Sequence, residues 1–115
     1  NILQDIVVDG NYKAAQLSDK NGLSLAAVHV GESSGAMAAI TSLLRNSAEK
    51  AYQQLDMAHV NELSLVGDDR FRFVCRFFET ETGQPMILTL VVPPDQAYRH
   101  ITNQAIKRIQ QVWSN

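Results

Sequence analysis

Hydrophobic positions change their period several times along the chain, and the changes divide it into helix, two strands, helix, three strands and helix. Ile2, Leu3, Ile6 and Val7 recur at helical spacing and form one apolar stripe, which Gly10 and Asn11 terminate. Tyr12 to Ser18 reads as a strand. Leu23 to Val30 reads as its return, with Leu23, Leu25 and Ala27 on one face and Ala26, Val28 and Val30 on the other. Between them, Asp19, Lys20, Asn21 and Gly22 predict a tight turn, because Asn and Gly tolerate positive φ. Gly31, Glu32, Ser33, Ser34 and Gly35 break the second strand, and Ser33 or Ser34 is placed to cap a helix by accepting an orphan backbone N–H bond.

That helix is predicted over about Ala36 to Leu55. Its stripe is Met37, Ile40, Leu44, Ala48, Ala51 and Leu55, spaced by three or four throughout. Val60 to Val66 is the next strand, and Gly67, Asp68 and Asp69 turn the chain. Phe71, Phe73, Cys75 and Phe77 then alternate with Arg70, Arg72, Val74, Arg76 and Phe78, a period of two that predicts one apolar face and one partly covered face carrying arginines. Glu79 to Pro85 is a turn with Gly83 as its positive-φ residue. Met86 to Val92 is apolar on both faces and belongs at the centre of a sheet, ended by Pro93 and Pro94. Asp95 suits the positive start of the last helix. Its buried stripe is predicted as Tyr98, Ile101, Ala105, Ile109 and Trp113, with Ile106 and Val112 beside them and Arg99, Lys107 and Arg108 in water.

Composition narrows the classes. A chain of 115 residues, 45% hydrophobic and 19% charged, fits one globular domain over residues 1–115. A net charge of −2 gives no support to nucleic-acid binding. The single cysteine, Cys75, cannot form an internal disulfide, which fits a reducing, cytoplasmic setting. The longest apolar run, Met86 to Pro94, is far short of the ~18 residues needed to span a membrane. The chain begins at Asn1 rather than Met, which leaves open a removed leader or a longer first helix.

Candidate chemistry is thin. Cys75 lies on the phenylalanine face with no His or Asp nearby in sequence, which reads as a buried structural thiol. His29, His59 and His100 lack metal-ligand spacing. Asp68 and Asp69 are turn residues beside Gly67. Gly31 to Gly35 precedes a helix but lacks the lysine and spacing of a P-loop. The arginines at 70, 72 and 76 read as stems packed under a helix with heads in water. No nucleophile, base and orienter stand at meaningful spacing, so the expectation is a chain that is not an enzyme and needs no cofactor or metal.

The order of elements predicts an α/β (α+β) sandwich of profilin-like kind, αββαβββα, on a five-stranded antiparallel sheet. Within it, Ala14-Ala15-Gln16-Leu17-Ser18-Asp19-Lys20-Asn21-Gly22-Leu23-Ser24-Leu25-Ala26 resembles the opening hairpin of the roadblock family, also called dynein light chain roadblock. The long helix rich in small residues, the three strands, the proline-bearing exit and the amphipathic last helix follow the same plan. The resemblance runs from Asn11 to the end, although the first helix is shorter than the family's.

The resemblance implies strand order 2-1-5-4-3, with the central helix on one face of the sheet and the terminal helices on the other. It also implies dimers, homomeric or with a related domain, paired through third strands and central helices. Such dimers serve as platforms for Ras-like small GTPases, whose nucleotide cycle some bacterial members modulate, or for the dynein intermediate chain. The residues alone leave two edges open. Val60 to Val66 carries one acid, Glu62, and no Lys or Pro, and Leu23 to Val30 is equally unguarded. The implied seam comprises Val60, Glu62, Leu63 and Leu65 with Ala36, Ala39, Leu43 and Ser47 on the helix, whose small residues either admit a second helix or widen an ordinary core face. The implied partner face is Ser42, Arg45, Asn46, Glu49, Tyr52 and Gln53, in which Arg and Tyr are residue types that often anchor interfaces. Two alternatives remain: an adaptor subunit of a motor or membrane-associated complex, and a small-molecule sensor of PAS or GAF kind, which would need a ligand-sized cavity.

Overall fold

Pro85–Val92 (β5) runs through the middle of the sheet because both of its faces are apolar: Met86, Ile87, Leu88, Leu90 and Val92 are all buried. The computed structural model describes residues 1–29 and 34–113, Ser34 by its backbone alone. The other elements are α1 (Ile2–Gly10), β1 (Ala14–Asp19), β2 (Ser24–His29), α2 (Ser34–Gln54), β3 (Glu62–Val66), β4 (Arg72–Glu79) and α3 (Arg99–Val112). The five strands are antiparallel neighbours in the order β2-β1-β5-β4-β3, as the resemblance implies. The order αββαβββα is the expected one.

Local chemistry sets the turns. Asn11 ends α1 in the left-handed region (φ 55°) and its N–H bonds back to carbonyls of the last turn. Asp19 closes the first hairpin by accepting from the N–H groups of Asn21 (2.9 Å) and Leu23 (3.0 Å), with Gly22 at φ 84°. Gly83 takes φ 86° in the β4–β5 turn. The expected cap by Ser33 or Ser34 lies outside the described residues, as do Val30 and most of the loop from Gly31; Gly35 is already inside α2.

The main core lies between the sheet and the pair α1/α3. Leu3, Ile6 and Val7 from α1, Ala105 and Ile109 from α3 and Tyr98 at its cap meet Ala15, Leu17, Val74, Leu88 and Leu90 of the sheet. Fully burying one such Leu or Ile is worth roughly 1.5–3 kcal/mol. The opposite face, under α2, is more polar: Gln16, Ser18, Thr41, Thr89 and Cys75 are buried there, with Thr41 and Thr89 hydroxyls 3.1 Å apart.

Three expectations are corrected. Leu55 is 70% exposed because it lies one residue past the end of α2 at Gln54, where the helical stripe no longer sets its direction. Val112, in the last turn of α3, is likewise exposed, while Thr102 takes a buried place on the helix stripe. Asp95 does not start α3: it sits four residues earlier at φ 65° and pairs with Arg70 at 2.7 Å, and Tyr98 occupies the cap position without a side-chain cap bond.

Candidate interaction surface

β3 is one margin of the sheet, and its open side can be read from its bonded side. The Phe77 N–H donates to the Asn61 carbonyl at 2.9 Å, and the Gly67 N–H to the Phe71 carbonyl at 2.9 Å. In an antiparallel ladder the bonded residues alternate. With Leu63 opposite Cys75 and Leu65 opposite Phe73, the main chain of Leu63 and Leu65 therefore turns inward to β4. Glu62, Ser64 and Val66 direct their N–H and C=O groups to the open margin.

Side chains follow the same alternation. Leu63 and Leu65 share the α2 side of the sheet with Phe73 and Cys75; Leu65 is 50% exposed and Leu63 half-buried. On α2 itself, Ala36, Ala39, Leu43 and Ser47 are all exposed, with Leu43 at 65%. They point away from the chain's own core, so they are not a widened core face. The Ser47 hydroxyl is spent on the Leu43 carbonyl at 3.1 Å, which leaves a small, internally satisfied surface. Val60 is half-buried just ahead of β3.

Glu62 departs from the rest of the expected seam. Its main chain faces the open edge, but its carboxylate lies on the α3 side. It accepts from the Tyr98 hydroxyl at 2.6 Å, and Arg99 and Arg76 stand at 3.4 and 3.5 Å. The side chain is thus held within the chain rather than presented across the edge. Arg76 also donates to Thr102 and Asn103 of α3, so its head is bound rather than in water; of the other two arginines expected on this face, Arg72 is exposed and Arg70 lies in the turn before β4 at φ 69°, paired with Asp95.

The expected partner face divides in two. Arg45, Glu49, Tyr52 and Gln53 border a groove of about 610 Å³ between the C-terminal half of α2 and the sheet, floored by Phe77 and Ile87. Arg45 and Glu49 form an i,i+4 pair at 2.7 Å, and Tyr52 stacks on His59 with ring centroids 4.0 Å apart. Ser42 and Asn46 do not line it; Ser42 reaches the hairpin instead, donating to the Asn21 carbonyl at 3.4 Å. Lys20, His59, Phe77 and Ile87 join the groove from segments far apart in sequence, and no spacing signal links them.

Chemical reactivity is low in the described residues. Cys75 is fully buried against Thr89, and burial pushes its thiol up to about 11, the hydroxyls of Thr89 and Thr41 offsetting this only in part. No group of His, Cys, Asp and Glu among the described residues is arranged to hold a metal ion. No helix among them is long and apolar enough to cross a membrane.

No family model matches the sequence, and no curated protein matches it. Solved structures do. A Roadblock/LC7 domain from Streptomyces avermitilis superposes with a TM-score of 0.80 at 14% identity, covering 99% of this chain and 96% of that one. The gliding protein mglB from Thermus thermophilus gives 0.67 at 18% identity, over 96% of this chain and 81% of that one. Myxococcus xanthus MglB gives 0.68 at 12% identity, over 96% and 86%. In strand order, helix placement and overall path, this chain has the roadblock fold.

Proposed function

We propose that the chain is a non-catalytic scaffold that pairs with a second copy or a close relative and binds a Ras-like small GTPase. The observation that supports this best is the unpaired β3 margin with exposed Leu65, together with the exposed Ala36, Ala39, Leu43 and Ser47 of α2, the helix on the same side of the sheet as Leu65. Strand pairing satisfies the outward N–H and C=O groups, and small residues let two helices approach closely. A pairing centred on Ser64 sets Glu62 opposite Val66 and Leu63 opposite Leu65 of the second copy, using all five residues of the strand.

The groove beside Arg45, Glu49, Tyr52 and Gln53 is the proposed seat of the GTPase, with an aromatic and an arginine at its rim. The scaffold acts by differential binding: it shifts its partner toward whichever nucleotide-dependent conformation it holds more tightly. Solved relatives in shape include a structure described as MglB with tetrameric arrangement, so assembly between copies occurs on this fold. A cytoplasmic location goes with this reading.

The test is capture of the Ras-like GTPases of the source organism, each loaded with GDP or a non-hydrolysable GTP analogue. Nucleotide-dependent capture by the dimeric chain is expected. Failure to capture any of them in either state ends the GTPase reading. A second reading rests on the groove, whose volume is in the ~300–1,000 Å³ range of small-molecule sites. A sensor would take up a small ligand without any protein partner, which thermal-shift screening of the purified chain would reveal.

A further inference from the structure

β3 has five residues, pairs on one side only, and is the strand on which the proposed seam depends. Short edge strands lose their order easily, and ordering a segment on association weakens binding. The network around Glu62 bears directly on this. Its carboxylate is 17% exposed and is approached from α3 by the Tyr98 hydroxyl (2.6 Å) and Arg99 (3.4 Å), and from β4 by Arg76 (3.5 Å). Arg76 in turn donates to Thr102 and Asn103, and the Thr102 hydroxyl donates to the Tyr98 carbonyl at 2.6 Å. Glu62, Tyr98, Thr102 and Arg76 thus form a closed ring, joined by hydrogen bonds except for the Arg76–Glu62 link, which is an ion pair at 3.5 Å, and the start of α3 grips the first residue of β3 from the face that dimer pairing leaves free. We infer that Tyr98 and Arg76, acting through Glu62, are positioning residues that hold β3 extended and so set the affinity of the edge for a second copy.

The inference rests on the pairing reading but has its own readout. Because Leu63 and Leu65 turn their N–H groups to β4, exchange of those two amides reports the order of β3 inside one copy. Because Glu62, Ser64 and Val66 turn theirs outward, their protection reports pairing. Tyr98→Phe keeps the ring in the core and removes only the hydroxyl. It is expected to speed exchange at Leu63 and Leu65 about tenfold relative to Leu88 in β5, and to raise the dimer dissociation constant about tenfold, the loss of one charge-assisted hydrogen bond. Glu62→Gln keeps an acceptor for Tyr98, so it is expected to retain most of the order of β3, whereas Glu62→Ala loses it. A purely structural role would lower the exchange protection of β5 in step with β3. Equal acceleration in both strands, or an unchanged dissociation constant in Tyr98→Phe, overturns the inference. A wild-type chain that stays monomeric overturns the pairing reading instead; the grip of α3 on β3 then stands or falls on the Leu63 and Leu65 amides.

Discussion

The Tyr98 hydroxyl donates to the Glu62 carboxylate across 36 residues of sequence, at 2.6 Å, and ties the first residue of β3 to the cap position of α3. An acid on an edge strand ordinarily reads as a guard against pairing. Here the same acid is turned away from the edge's approach on the α2 side and spent inside the chain. The edge keeps its unpaired main chain, a half-exposed Leu65 and no charge of its own on that side.

The first prediction follows from that exposure. Leu65→Lys places an ammonium group on a half-solvated position, so the monomer should keep its fold, with stability within about 1 kcal/mol of wild type. In a seam centred on Ser64, two such lysines fall opposite leucines, and the dimer should weaken by a factor of about ten or more. Analytical ultracentrifugation over a concentration series reads it. Leu63→Lys should act in the same direction with a larger loss of fold stability, since Leu63 is half-buried. A dimer indifferent to both changes belongs on another surface.

Much of this fold was legible because its elements announce their period. The alternation from Phe71 to Phe78 fixed which residues of β4 face α2, and the two-sided apolar run of β5 fixed its central place. What escaped was polarity inside and apolarity outside. Thr41, Thr102, Gln16 and Ser18 are buried, yet a pattern of hydrophobic spacing treats each as a solvent position. Leu55 and Val112 satisfy the helical spacing but stand past or at the last residue of their helices, where both are exposed. The interaction surface was legible only in halves: the exposed stripe of α2 follows from helical geometry, whereas the groove joins Tyr52 to His59, Phe77 and Ile87 through tertiary approach alone.

Gly10 shows a different kind of requirement. It reads as a helix stop, but it lies within α1 at ordinary helical φ, and a Cβ there would fall 2.1 Å from Tyr12 Cζ. Tyr12 is buried and its hydroxyl is held to the Ala97 carbonyl at 3.1 Å, so the ring has no room to retreat. Gly10→Ala should therefore destabilise the chain by roughly 1–3 kcal/mol despite the better helix propensity of alanine. Denaturant unfolding checks it, and the double variant Gly10→Ala with Tyr12→Leu should recover part of the loss by removing the clash.

Alkaline pH should destabilise the chain through two buried acids. Burial raises the Cys75 thiol from 9.0 to about 11 and the Tyr12 phenol from 10.0 to about 12. In both cases the unfolded chain releases its proton first as pH rises. Stability is thus intact below about pH 9 and declines between about pH 9 and 12. A tenfold difference in acidity between the folded and unfolded chain corresponds to about 1.4 kcal/mol, and to less where solvent screens the group. Tyr98, raised in the same direction by burial and by Glu62, adds to the decline above about pH 10. Unfolding free energies measured from about pH 7 to 11 should fall steeply only above about pH 9, and Tyr12→Phe should flatten the part above about pH 10.

The layer beneath α2 carries a polar cost that a substitution can remove. Gln16 is fully buried on β1, opposite Thr89, and neither its amide nitrogen nor its amide oxygen has a hydrogen-bond partner among the described residues. Burying such a group unpaired costs roughly 1–3 kcal/mol in mutational series. Methionine has nearly the same length and volume and demands no partner, so Gln16→Met should stabilise the fold by about 1–2 kcal/mol and raise Tm by roughly 5 °C or more. The gain should come without loss of dimerisation, because Gln16 lies inside the sheet and far from the open main chain of β3 in strand order. Differential scanning calorimetry decides it. A drop in Tm would mean that the amide of Gln16 is needed where it stands, as a contact of α2 with the sheet, and that the polarity of this layer is part of how the helix is seated.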